Sequence, residues 1–349
     1  MASKDQQIAE DFIARSVDLF RFTAAERSKV LKILKTVEDE LTYLLTYSGK
    51  NLSDITRADK ARILRQARAL IEEHYATAGE AFDASLAGVA SVESKATAKA
   101  FGNAFQGQIE PALPTEVVLR KLVDGTLVQG HTVGAWFDRQ EGDLAFRFQL
   151  ELQQGIAQAE TNAQIIKRVR DNVMPVARNN VAALVQTSVQ TVSAAARRET
   201  VKANSDIIKG IRQISTLDGH TTPICIAYAG AEWDLNYKPI GDNKLPYNGG
   251  VPRHWNCRSI EVPITRTFKE LGIDLPEPPA STRAAHGGQV RGNITFDEFL
   301  RSKPKAFVDD LLGPGRAELW RDKTITLQQL LDQHGRPLTL EELRSRHGV

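Results

Sequence analysis

"RNNVAALVQTSVQTVSAAARRETVKANSDIIKGIRQISTL", residues 178–217, passes from one periodicity into another, and that change decides the fold class. In its first part Val185, Val189, Val192 and Ala196 recur at spacings of four, three and four, with Pro175 shortly before, as in an amphipathic helix. In its last part "IRQISTL" is rich in β-branched residues, although it alternates poorly. Downstream, "AEWDL" is a short strand candidate, and "SIEVPI" alternates Ile260, Val262 and Ile264 as a half-buried strand does. Pro263 has no N–H for a ladder, so this strand belongs at a sheet edge or at its own end. "NYKPIGDNKLPYNGG" between the last two is a turn-rich loop.

Upstream the texture is helical. Val30, Ile33, Leu34, Val37, Leu41 and Leu44 form one stripe. Ile63, Leu64, Ala67, Leu70 and Ile71 form another, with Ser53 or Asp54 as its candidate N-cap. The Ala-rich residues 84–106 read equally as a closely packed helix or as a connector. A further helix is expected after Pro114, with Thr115 as cap, and a long one over residues 143–171, broken or bent near Gly155. In the tail, Thr295 with Glu298, Thr326 with Gln329 and Thr339 with Glu342 have capping-box spacing, which predicts three short helices.

The expected fold is therefore α+β and predominantly helical. It has an N-terminal helical region (1–145), a module of long helices plus short antiparallel strands (146–270), a flexible Pro/Gly linker (271–293) and a C-terminal helical extension (294–349).

The chain has 349 residues, enough for about two domains at roughly 150 residues each. With 42% hydrophobic and 25% charged residues and a formal net charge of +2, the composition is that of an ordinary globular protein. The start lacks an apolar h-region and no run approaches the ~18 apolar residues of a membrane span, so the expected setting is the cytosol, without a membrane partner. Residues 1–110 carry 15 Lys or Arg against 16 Asp or Glu, so they offer no nucleic-acid surface. Residues 164–212 carry nine against three, a local +6. Lys167, Arg168, Arg170, Arg178, Arg197, Arg198 and Lys202 are thus the candidate DNA-facing residues, against the blander reading of a solvated basic helix face.

Two cysteines exclude a disulfide framework. Cys225, His254 and Cys257 form C-x28-H-x2-C, whose second half has zinc-knuckle spacing. Asp218 or His220 would supply a fourth ligand. A zinc site, a single disulfide and a metal-free packed cluster all remain open. A nucleophilic thiol served by His254 is disfavoured, because no nucleophile elbow or oxyanion loop adjoins either cysteine. Arg258 can pair with Asp218 through a bidentate contact. Walker A, dinucleotide, metalloprotease and kinase motifs are absent.

"LDGHTTPICIAYAG" (217–230) followed after a loop by "VPRHWNCRS" (251–259) resembles the signature of the minor head (head morphogenesis) proteins of tailed bacteriophages, the Mu F-like family. That pattern is roughly L-D-x-x-T, a cysteine, a D-G turn, then P-P-x-H-x-x-C-R-C. Leu217, Asp218, Thr221, Cys225, Gly230, Pro252, His254, Cys257 and Arg258 occupy matching positions. His220, Ala229, Val251 and Ser259 stand where the family has a basic residue, an acidic residue, a proline and its last cysteine, and the loss of that cysteine weakens a metal reading. "QGIAQAETNAQIIKRVRD" (154–171) with "NNVAALVQTSVQTVSAAARRE" (179–199) resembles the family's helical lead-in. "LGPGRAELWRDKTITL" (312–327) is similar to the core of its C-terminal extension, and the resemblance covers roughly residues 148–345.

The resemblance implies a non-enzymatic virion component at the portal vertex or capsid interior, made in the host cytoplasm, without a required cofactor. Its implied partners are the portal protein, the major capsid or scaffolding protein, and packaged double-stranded DNA. Modules of this family also occur fused to toxin domains, so the competing class is a nuclease or transferase-like enzyme using His254 and Cys257.

Overall fold

The computed structural model describes residues 3–48, 51–52, 55–274, 282–285, 288–291 and 295–349. It is a predominantly helical α+β fold, and no described helix is long and apolar enough to cross a membrane. The described residues group into two compact units, each built from separated stretches of chain. One comprises residues 19–90 and 117–192, the other residues 1–18, 91–116 and 193–349. Sequence texture divides the chain into consecutive segments, whereas compactness is decided by which buried faces meet.

The first unit is helical. It takes most of α1 (Lys4–Thr46) and α2 (Arg57–Ala104), then α3 (Glu116–Gly125), α4 (Val133–Ala157), α5 (Asn162–Arg168) and the first two thirds of α6 (Met174–Ala203). Val30, Leu34, Val37 and Leu41 are buried on α1, as are Ile63, Ala67 and Ile71 on α2 and Val181, Val185 and Val189 on α6, following the 3.6-residue period. Phe137 on α4 meets Tyr75 and Phe82 in tilted and edge-on contacts with ring centroids 6.2–6.3 Å apart.

The expected break near Gly155 falls between α4 and α5. A Cβ on Gly155 would meet the side chain of Ile165, so α5 folds back against the end of α4. Thr161 and Gln164 cap α5 reciprocally. A turn of π-helix, Val169–Val173, joins α5 to α6. The proposed caps Ser53 and Asp54 lie outside the described residues; the observed partners at the start of α2 are Thr56 and Asp59. The Ala-rich stretch is helix rather than connector, with Ala98, Ala100 and Ala104 buried.

The second unit holds the sheet. β1 (Ile208–Ile214) is central, flanked by β2 (Glu232–Asp234) and β3 (Ile260–Thr265), all antiparallel. Pro263 sits on β3, an edge strand, as its missing N–H requires. A Cβ on Gly210 would run into the Trp233 carbonyl, so β2 can approach β1 only over a glycine. Between β1 and β2 lies the single helical turn α7 (Pro223–Ala227). The core includes Trp233, Tyr228, Ile211, Val262 and Phe268, together with Ile8, Phe12, Phe101 and Phe105 from α1 and α2.

The segment expected to be a flexible linker contains a hairpin, β4 (Thr282–Ala285) paired with β5 (Gly288–Arg291); residues 275–281, 286–287 and 292–294 lie outside the described ones. The tail adds α8 (Phe296–Arg301), α9 (Lys305–Leu312), α10 (Pro314–Arg321) and α11 (Leu340–His347). Capping boxes at Thr295–Glu298 and Thr339–Glu342 open α8 and α11. The Thr326–Gln329 pair makes the same reciprocal bonds but serves one turn of 3-10 helix, Gln328–Leu330.

Candidate functional site

The two signature segments close on one another at one end of the sheet. Where β1 ends, Ser215 donates to the Cys225 carbonyl at 2.6 Å and lies 3.1 Å from the Ser259 hydroxyl. Asp218 then forms a tight turn by accepting the His220 N–H at 2.9 Å, and Thr221 donates back to the Thr216 carbonyl at 2.6 Å. This turn delivers Pro223 to the first position of α7, where its missing N–H costs nothing. α7 presents Cys225 inward. Gly230, at φ +83°, ends the segment, and its N–H donates to Gln213 at 2.8 Å.

Arg258 reaches back across the turn. Its two terminal nitrogens donate to the two Asp218 carboxylate oxygens at 2.7 and 2.8 Å, the expected bidentate contact. Partial burial, the largest single influence, pushes the Asp218 carboxyl up, but Arg258, the His220 N–H and the Thr221 hydroxyl together outweigh it and hold the group below the usual carboxylate range. Pro252 follows a cis peptide bond at Val251.

Cys225, His254 and Cys257 meet with their ligand atoms all within 4.8 Å of one another. The sulfurs are 3.6 Å apart, and Cys225 Sγ is 3.2 Å from His254 Nε2. Thr222 Oγ1 lies 2.8 Å from the same nitrogen. His254 Nδ1 faces the Trp255 carbonyl at 2.8 Å. A carbonyl only accepts, so Nδ1 carries a proton and Nε2 is the nitrogen turned toward the sulfurs. Cys225 is 2% and Cys257 0% exposed. The Cys257 thiol is pulled down by the hydrogen bond from Cys225 and by His254, while Cys225 is pushed up by Cys257 and by burial, as expected of two sulfurs that share a proton. Hydrogen bonding to Cys257 raises His254.

The expected fourth ligand is not supplied. Both Asp218 oxygens are engaged by Arg258, and His220 is exposed. Among the described residues, the group that could hold a soft metal is Cys225, His254 and Cys257.

Sequence reasoning gave Arg253 no role. Its guanidinium stacks 3.4 Å over Tyr228 and donates to the Gln213 side chain at 2.7 Å and to the Tyr247 carbonyl at 3.1 Å. Burial pulls its pKa down. Glu261 was missed as well: it takes the Val251 N–H at 3.0 Å and Arg198 at 3.0 Å. The available signal was a lone acid inside an apolar strand.

The seven basic residues proposed to face DNA all have acidic partners. Lys167 and Arg170 pair with Asp171, Arg168 with Glu151 and Glu160, Arg178 with Glu38, and Lys202 with Glu199. Arg197 pairs with Glu93, and Arg198 with Glu261. Arg197 is 5% exposed and packs over Phe12, so it is not part of a solvated basic face. The local +6 omitted acids brought in from distant segments, which offset it. No protein-family model, curated protein or solved structure matches the chain.

Proposed function

We propose that this chain is a minor head protein of a tailed bacteriophage, a low-copy virion component at the portal vertex that supports head morphogenesis, DNA packaging or genome delivery. The observation that supports it is the closure of the two signature segments. Asp218 meets Arg258, and Cys225 meets His254 and Cys257, although some 30–40 residues separate the members of each pair. Residues placed by a resemblance over two stretches of sequence thus make one knot, which ties the approach to α7 to the approach to β3.

The knot is structural in this reading. Both sulfurs are enclosed, whereas a nucleophile must meet a substrate. The portal protein is the first partner, with the major capsid or scaffolding protein next. Contact with packaged DNA falls to the more exposed cations, Lys167, Arg170 and Lys202, whose pairs are solvent-screened.

Quantitative mass spectrometry of purified particles from the encoding phage, with the portal as internal standard, tests the reading. A few copies per portal ring supports it. Presence in proheads alone supports a transient assembly role, and absence from both proheads and mature heads overturns it. His254→Ala should lower both melting temperature and particle yield; unchanged melting would remove the structural role.

A further inference from the structure

We propose that Cys225, His254 and Cys257 bind one Zn2+ ion through Cys225 Sγ, His254 Nε2 and Cys257 Sγ. The proposal stands on the side-chain geometry and does not depend on the phage assignment. In a tetrahedral site with Zn–S near 2.3 Å and Zn–N near 2.0–2.1 Å, two sulfurs stand about 3.8 Å apart, and a sulfur and a nitrogen about 3.6 Å apart. Here the sulfurs are 3.6 Å apart and the Cys225 sulfur is 3.2 Å from Nε2, and all three donor atoms lie within 4.8 Å. These are the edges of a tetrahedral face already assembled. A disulfide would need the sulfurs at about 2.05 Å.

The imidazole is oriented for the role. Nδ1–H is held by the Trp255 carbonyl, the outer contact that fixes the tautomer and aim of a metal-binding histidine, and Nε2 points into the face. Two thiolates cancel the charge of a divalent ion, so the centre is formally neutral beside Arg253 and Arg258. Any proton still on the sulfurs leaves to solvent on binding. Two sulfurs and an imidazole select a soft or borderline ion over Mg2+ or Ca2+. Asp218 is held by Arg258, which leaves the fourth position to an oxygen such as the Thr222 hydroxyl, 2.8 Å from Nε2. Thr222 leads into α7 and Cys257 leads into β3, so the ion would join the two ends of the signature.

The test uses the full chain, reduced and stripped with chelator, titrated with CoCl2 and then with ZnCl2. One equivalent of Co2+ should give sulfur-to-cobalt charge-transfer absorption and the intense visible bands of a tetrahedral centre, and one equivalent of Zn2+ should bleach them. Cys257→Ser should lose the charge-transfer intensity and weaken Zn2+ binding beyond the roughly 10–100-fold typical of outer-contact losses. Thr222→Val keeps both sulfurs and should retain the charge-transfer absorption with altered visible bands. Wild-type chain that gives no absorption, or only the weak bands of octahedral Co2+, overturns the proposal. So does stoichiometric binding that survives both Cys225→Ser and Cys257→Ser. The wild-type titration decides the matter even if a variant fails to fold.

Discussion

Glu261→Gln removes one charge and almost no volume, and it tests whether the basic face of α6 serves the fold. Glu261 and Arg198 are 3.0 Å apart, with 6% and 19% of their side chains exposed. Burial alone would depress the Arg198 guanidinium, but Glu261 reverses this and raises it. At an effective dielectric constant of about 20, two unit charges at that distance attract by about 5–6 kcal/mol. Desolvation offsets much of this in the intact pair, yet removing one partner strands the other and costs about 3–5 kcal/mol. Gln can still accept the Val251 N–H, so the lower end, about 3 kcal/mol, applies. At about 2–4 °C per kcal/mol, the melting temperature should fall by roughly 6–12 °C. Circular dichroism melts and urea titrations of the wild type, Glu261→Gln, Arg198→Met and the double variant complete the cycle. The double variant should be more stable than the sum of the singles requires, by about 1–3 kcal/mol. Additivity within about 0.5 kcal/mol would show that the two charges do not depend on each other, and would return Arg198 to the list of available surface cations.

Two further perturbations probe the same end of the sheet. Gly250→Ala places a Cβ against the Glu261 carboxylate and the Tyr247 hydroxyl, whereas at Gly249 nothing lies within 4 Å; both residues are at φ near +76°. Both should pay the left-handed penalty of about 1–2 kcal/mol, and Gly250→Ala about 1–3 kcal/mol more in urea unfolding; equal losses would refute the clash. The second concerns pH. Arg258, the His220 N–H and Thr221 together hold the Asp218 carboxyl below its unfolded value despite partial burial, so its contribution is fully present above pH ~3.9 and is lost as pH falls through the lower folded value. Asp218→Asn should therefore be less stable than wild type at neutral pH and should lose less stability between pH 5 and pH 2. A parallel loss in the two proteins would remove the linkage.

The long helices were legible because their buried faces recur at 3.6 residues: Val30, Leu34, Val37 and Leu41 are stripe and core alike. The edge position of β3 followed from one proline. The Asp218–Arg258 pair was legible because complementary groups flank the two halves of one motif. What could not be read was the identity of partners brought from far along the chain. Arg197 finds Glu93 at a separation of 104 residues and Arg198 finds Glu261 at 63, so counting charge in a local window missed that one of these cations is buried and the other half-buried, each against an acid. The fourth ligand failed for a related reason. Spacing placed Asp218 near the cysteines, but spacing does not say that Arg258 takes both of its oxygens.

A pair of hydrogen bonds to Asp5 sets a schedule for folding. The Thr265 N–H and hydroxyl both donate to Asp5 Oδ1, at 2.8 and 2.6 Å, across 260 residues. The all-helical unit is complete once residue 192 has been made, while the unit bearing the sheet must keep its first 18 residues waiting until β3 and the tail arrive. At 5–20 residues per second that wait lasts on the order of ten seconds or more, during which Ile8 and Phe12 have no finished core to enter. The first turn of α1 can thus lock only after β3 has been made, some 260 residues later.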